Sequence, residues 1–97
     1  MNAIHLQWVH KKSASNQKKH GVSFEEAATV FYDEDALEFH DPDHSQSEDK
    51  FFLLGLSAQA RVLVICHCVR ESESVIRIIS ARKAAKQESK KYWEEKL

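Results

Sequence analysis

The spacing of apolar positions changes several times along the chain, and each change marks an element. From Ile4 to Val9 apolar residues alternate weakly, with Ile4, Leu6 and Trp8 on one side, which predicts a short first strand. His10 to His20 predicts a basic helix, closed by Gly21 as a left-handed C-cap. Ser23-Phe24-Glu25-Glu26 has the spacing of a capping box, and Phe24, Ala27, Ala28 and Phe31 follow at helical intervals to about Asp33. Ala36 to His40 predicts a short strand, Asp41-Pro42-Asp43 a turn, and the polar stretch to Asp49 a loop. Lys50–Ser57, Arg61–Val69 and Val75–Ser80 then predict three strands. Their connections, Ala58-Gln59-Ala60 and Glu71 to Ser74, are short enough for an antiparallel meander. From Ala81 onward the composition is helical again. The expected fold is α+β: an antiparallel β-sheet with an N-terminal helix pair and a C-terminal helix. The helices cover one sheet face and leave the other, or a groove at the strand ends, for function.

Ninety-seven residues with two glycines and one proline form one domain spanning 1–97, without linker or repeat. The longest apolar run, Val62 to Cys66, is too short to span a bilayer. The opening MNAIHLQWVHKK lacks the features of a signal peptide, so no membrane association and a cytoplasmic location are expected. Cys66 and Cys68, two apart on one strand face, are spaced at or beyond disulfide reach and are expected as reduced structural thiols. The net charge of −1 conceals segregation: residues 1–20 carry +4, residues 21–49 carry −10, and residues 50–97 carry +5. Basic ends folded together would make an anion-binding face. On this reading Lys19, Lys50, Arg77 and Arg82 share one face, and Glu25, Asp33, Glu34 and Asp35 lie away from it.

Two constellations suit phosphate chemistry. A strand ending at Ser80 and a helix opening beside Arg82 would join free backbone N–H groups, a dipole end and a guanidinium. The structural alternative is that Ser80 caps and Arg82 pairs with a surface carboxylate. If Arg70 pairs with Ser74, His67 lies opposite Arg77, and a loop one residue longer moves the two to opposite faces. Paired, the imidazole could move a proton while the guanidinium holds an anionic transition state. Buried, His67 is structural. His5, His10, His40 and His44 lack metal-ligand spacing, and the His40–His44 loop is a weak basis for a metal-dependent nuclease. With no Walker A loop, dinucleotide fingerprint or nucleophile elbow, neither metal nor cofactor is expected.

Several segments together resemble the BrnT family of type II toxin–antitoxin systems. They are Trp8, Lys12 and Asn16 ahead of KHGVSFEEA at Lys19–Ala27, DPDHS at Asp41–Ser45, and LGLS at Leu54–Ser57. HCVRE at His67–Glu71 and IRIISARKA at Ile76–Ala84 complete the set. The resemblance implies a fold like that of the RelE toxins and an RNA-cleaving toxin that arrests translation. It also implies neutralisation by a BrnA-type antitoxin, which carries the DNA-binding part and reaches operator DNA for both. The matching positions suited to catalysis are His67, Arg77, Arg82, Lys19 and Glu71, and those suited to RNA binding are His20, Lys50 and Arg70. Two positions depart from the family pattern: Val9 where an acid is expected, and Val69 where an aromatic is expected. Val69 favours the alternative reading, a catalytically inactive toxin-fold module that binds an antitoxin in operon autoregulation.

Overall fold

The corner between the first two helices follows from its residues. Gly21 takes a left-handed conformation (φ 73°) and donates its N–H to the Gln17 carbonyl, ending helix α1 (His10–His20). Two residues later the Ser23 hydroxyl accepts from the Glu26 N–H at 3.1 Å and opens helix α2 (Phe24–Val30). The computed structural model describes residues 5–41, 50–70 and 74–97. Around the helix pair it places strands β1 (His5–Gln7), β2 (Leu37–Asp41), β3 (Lys50–Leu56), β4 (Val62–Arg70) and β5 (Val75–Lys83), and then helix α3 (Lys86–Lys96). The expected turn and loop after Asp41, including Pro42 to Asp49, lie outside the described residues.

The strands form one sheet in the order β1-β5-β4-β3-β2. The expected meander of β3, β4 and β5 is present, with β2 antiparallel on its outer edge. The sheet is nevertheless mixed, because β1 runs parallel to β5. Chain direction explains the correction: the helix pair carries the chain back across the sheet before β2 begins, and alternation within β1 encodes no direction. A second correction concerns residues 81–83. Their helical composition yields to pairing, since Leu63 and Val64 of β4 take Lys83 and Arg82 as ladder partners. Strand β5 therefore runs to Lys83, and α3 begins only at Lys86.

One sheet face packs on α1 and α2, where Val22, Phe24, Ala27, Val30, Leu63, Ile65, Ile78 and Ala81 form the main core. On the other face α3 covers one end, with Tyr92 against Leu54 and Val64. Asp33 joins the layers: its Oδ2 accepts from the Leu56 N–H (2.8 Å) and the Tyr92 hydroxyl (2.6 Å). Gly55 lies so close to α2 that a Cβ would stand 2.8 Å from Val30 and 2.9 Å from Ala36, which explains a glycine in mid-strand.

Two buried polar groups complete the frame. The Asn16 side-chain amide donates to the Val22 and Ala81 carbonyls at 2.8 Å each, and its oxygen accepts from the Ala81 N–H at 3.1 Å. Glu26, expected to reach back and close the capping box, turns inward instead. Its carboxylate accepts from Ser57 Oγ (2.7 Å), Arg61 Nε (2.9 Å) and, in a short contact, Arg61 Nη2. A buried carboxylate requires a partner, and the guanidinium fork is a stronger one than the Ser23 amide.

Asn16→Ala is expected to cost roughly 1–3 kcal/mol by leaving buried backbone groups unpaired. Urea unfolding measures it, and a loss below about 0.5 kcal/mol would show that water replaces the amide. The Arg61 guanidinium, together with the Ser57 hydroxyl, holds the Glu26 carboxyl below its ordinary 4.5 against the opposing effect of burial. A depressed carboxyl stabilises the fold fully above that ordinary value, and the contribution disappears as pH falls through the lower folded value. Glu26→Gln should therefore destabilise at neutral pH and flatten the acid limb of a stability–pH curve. An unchanged acid limb would refute this role.

Candidate functional site

Strand pairing brings the basic residues of distant segments together. Asp41, Lys50, Cys68, Arg77 and Gln7 form one transverse row across β2, β3, β4, β5 and β1. A neighbouring row holds Phe39, Phe52, Cys66 and Ser80, and the next holds Leu37, Leu54, Val64 and Arg82. Arg70 pairs with Val75 beyond the first row. Lys50, Arg70, Arg77 and Arg82 thus share the sheet face opposite α1 and α2. At ordinary strand spacing the Cα atoms of Lys50 and Arg77 are about 10 Å apart.

A β-bulge makes this possible. Cys66 pairs with Ser80 and His67 with Ile78, so Ile79 is the extra residue on β5. Without it Arg77 and Arg82, five positions apart, would fall on opposite faces. With it both join the basic face, while Ile78 and Ala81 both enter the core.

The β4–β5 register settles the expected His67–Arg77 pair. Arg70 pairs with Val75 rather than Ser74, which puts Ile78 opposite His67 and places Arg77 on the other face. His67 is wholly buried, edge-on to Phe31 at 4.9 Å and stacked with Phe51 at 5.8 Å between ring centroids. Its Nε2 stands 3.4 Å from Glu38 Oε2, and neither ring nitrogen makes a hydrogen bond of good geometry. Burial holds the imidazole below its ordinary range, against the smaller opposing pull of Glu38. In this position it reaches no phosphate on the basic face.

Arg82 also differs from expectation. It lies in β5 rather than at a helix start, and its fork grips Glu88 of α3, Nη1–Oε1 at 2.7 Å and Nη2–Oε2 at 2.9 Å. Glu88 Oε1 also accepts from the Ala85 N–H at 2.7 Å, so the pair anchors the start of α3. The Arg82 guanidinium lowers the Glu88 carboxyl to about 2. Lys19 and His20 occupy the last turn of α1, in the other layer. Glu71 lies outside the described residues. Cys66 and Cys68 are reduced thiols on the basic face, and burial pushes the Cys66 thiol up, away from thiolate chemistry.

Where β1 passes into α1, a cleft of about 440 Å³ opens beside Arg70 and Arg77 and is lined also by Gln7, Trp8 and His10. Sequence reading missed Trp8 and His10 as site residues. Trp8 read as the inner side of a strand, and His10 signalled nothing without its neighbours from β4 and β5.

Residues 8–88 match the family described as the ribonuclease toxin, BrnT, of type II toxin–antitoxin systems. The chain belongs to the BrnT family. The crystal structure of the Brucella abortus ribonuclease toxin BrnT is similar to it at 17% identity and a TM-score of 0.64, covering 87% of this chain and 100% of that one. At that identity the likeness concerns the fold. No curated protein matches the chain. Membership of a type II toxin–antitoxin family implies an antitoxin partner. Among the described residues no helix is long and apolar enough to cross a membrane. Much of what carries the BrnT resemblance is architectural: Asn16, Ser23, Glu26, Gly55 and Ser57 serve packing, caps or buried hydrogen bonds, while Trp8 packs partly against the core and also lines the cleft.

His67→Met, close in volume and adaptable in shape, should change stability by less than about 1.5 kcal/mol and leave RNA cleavage intact. Abolished cleavage in a variant that melts like the wild type would return the imidazole to the chemistry.

Proposed function

We propose that this BrnT-family chain is a metal-independent endoribonuclease that cleaves RNA across its basic sheet face and so arrests translation in the cytoplasm. The observation that carries this reading is the convergence of Lys50, Arg70, Arg77 and Arg82, from three strands, on one face of a ribonuclease-family fold. The fold is read as RelE-like. A ribose 2′-oxygen attacks the adjacent phosphate, the bond to the 5′-oxygen breaks, and a cyclic phosphate and a free 5′-hydroxyl result. Arg77 and Lys50 neutralise the charge that builds on the phosphorane. Arg82, already held as a planar fork by Glu88, offers a further phosphate contact. Glu71, next to Arg70 in sequence, is the proposed partner in proton transfer, while the burial of His67 favours a packing role. Lys19 and His20 serve at most as outlying contacts to the RNA backbone. The partner that silences the toxin is a BrnA-type antitoxin, through which alone operator DNA is reached.

The rival reading, an inactive module that only binds its antitoxin, draws on Val69. That residue pairs with Ile76 on the face toward α1 and α2. An aromatic there would not stand among the basic residues, so Val69 leaves the proposed RNA face unaltered.

Purified protein should cleave RNA equally well with and without chelator, and its expression should arrest growth. Lys50→Ala and Arg77→Ala should each slow cleavage on the order of 10²–10³-fold while remaining folded. Arg82→Ala should slow cleavage and also loosen α3, with Arg82→Lys a partial rescue. A folded wild-type protein that neither cleaves RNA nor arrests growth would leave the inactive module as the reading.

A further inference from the structure

We propose that the cleft between the β1–α1 junction and the β4–β5 hairpin is the subsite for one unpaired RNA nucleotide, its base against Trp8 and its phosphate held by Arg70 and Arg77. This deepens the ribonuclease reading and rests on it.

Three features of the cleft converge on this ligand. Its volume, about 440 Å³, lies within the range of pockets that hold small organic ligands. Its lining combines two guanidinium groups with an indole and an imidazole. Guanidinium forks grip phosphate oxygens in pairs, and an aromatic ring accepts the face of any base once it has left a helical stack. Arg77 has no carboxylate partner among the described residues, unlike Arg82 with Glu88 and Arg61 with Glu26. No acidic residue lies in the first turn of α1, which borders the cleft, and Lys11 and Lys12 stand there instead. Among the described residues the lining thus holds two guanidinium groups and no carboxylate, which suits an anion.

The position of the cleft fits the same ligand. Arg77 belongs both to its wall and to the transverse row with Lys50 and Cys68. A strand of RNA crossing the sheet face toward β1 would meet the cleft at its end. Gln7, directly beside Arg77 on β1, supplies an amide that can both donate to and accept from a base edge. The cleft thus holds a nucleotide in place by shape and stacking, whereas Lys50 contributes charge alone.

The chain has two tryptophans, Trp8 and Trp93, so Trp93→Phe leaves Trp8 as the sole indole reporter. The probe is a short 2′-O-methyl oligoribonucleotide, whose blocked 2′-oxygen cannot attack, labelled at one end so that anisotropy reports binding anywhere. Trp8 emission should quench saturably over the same concentrations at which anisotropy rises. Arg77→Ala should weaken both signals about ten-fold or more, and Trp8→Phe, which keeps an aromatic ring and the fold, should weaken anisotropy binding less than Trp8→Ala. Circular dichroism and melting identify any variant lost to misfolding, and in that event the quench in the Trp93→Phe protein remains decisive. Saturating anisotropy with unchanged Trp8 emission would overturn the subsite while leaving the ribonuclease reading intact. No binding by either signal would also overturn it, and cleavage of natural RNA by the wild type then decides whether the ribonuclease reading stands.

Discussion

The side-chain amide of Asn16 is the contact on which the arrangement of layers depends. Strand β1 pairs with β5 only from Val75 to Arg77, so the backbone of Ala81 would otherwise present a buried edge with no ladder partner. Asn16 supplies both a donor and an acceptor there, acting as one residue of a missing strand. Its second donated bond, to Val22, ties the same point to the turn that starts α2. One side chain thereby sets how α1 lies on the sheet and where the helix corner falls. The inward turn of Glu26 to Arg61 and Ser57 fixes the other end of that corner. Both are buried polar groups, so neither can be lost without leaving its partners unpaired.

Local signals in the sequence proved most informative where local chemistry decides. The Gly21 and Ser23 caps, the β3–β5 meander and an element order of strand, two helices, strands and helix were all legible. What was not legible depends on partners far along the chain. Glu26 answers to Arg61, thirty-five positions away, rather than to Ser23. Residues 81–83 follow β4 rather than their own helical propensity. The register of β4 against β5 turns on a polar connection with no apolar residue to fix it, and that register separates His67 from Arg77. The direction of β1 carries no signature in a three-residue strand.

Basic charge and the main core lie on opposite faces of the sheet, although α3 and the Tyr92 cluster cover one end of the basic face. The face toward α1 and α2 holds the main apolar core and also His67, which looked catalytic by type and by its expected pairing with Arg77. The opposite face collects bases whose roles were visible only singly: Lys50 as the start of a strand, Arg70 as the end of one, and Arg77 and Arg82 as interruptions of an apolar run. The charge segregation seen along the chain is therefore only partly a segregation in space. The sheet face draws its bases from residues 50–82, and the basic N-terminal segment adds Lys11 and Lys12 beside the β1–α1 junction, while Lys19 stays with the other layer.

The single extra residue at Ile79 has a consequence for how such chains can diverge. Arg77 and Arg82 are five positions apart, so they share a face only while one intervening residue stays out of the ladder. Drawing Ile79 into the ladder would turn one of the two guanidinium groups toward the core. Deleting it would instead leave them four positions apart, on the same face of a regular strand. The bulge and the odd spacing are therefore linked, and relatives are expected to keep both or to lose both.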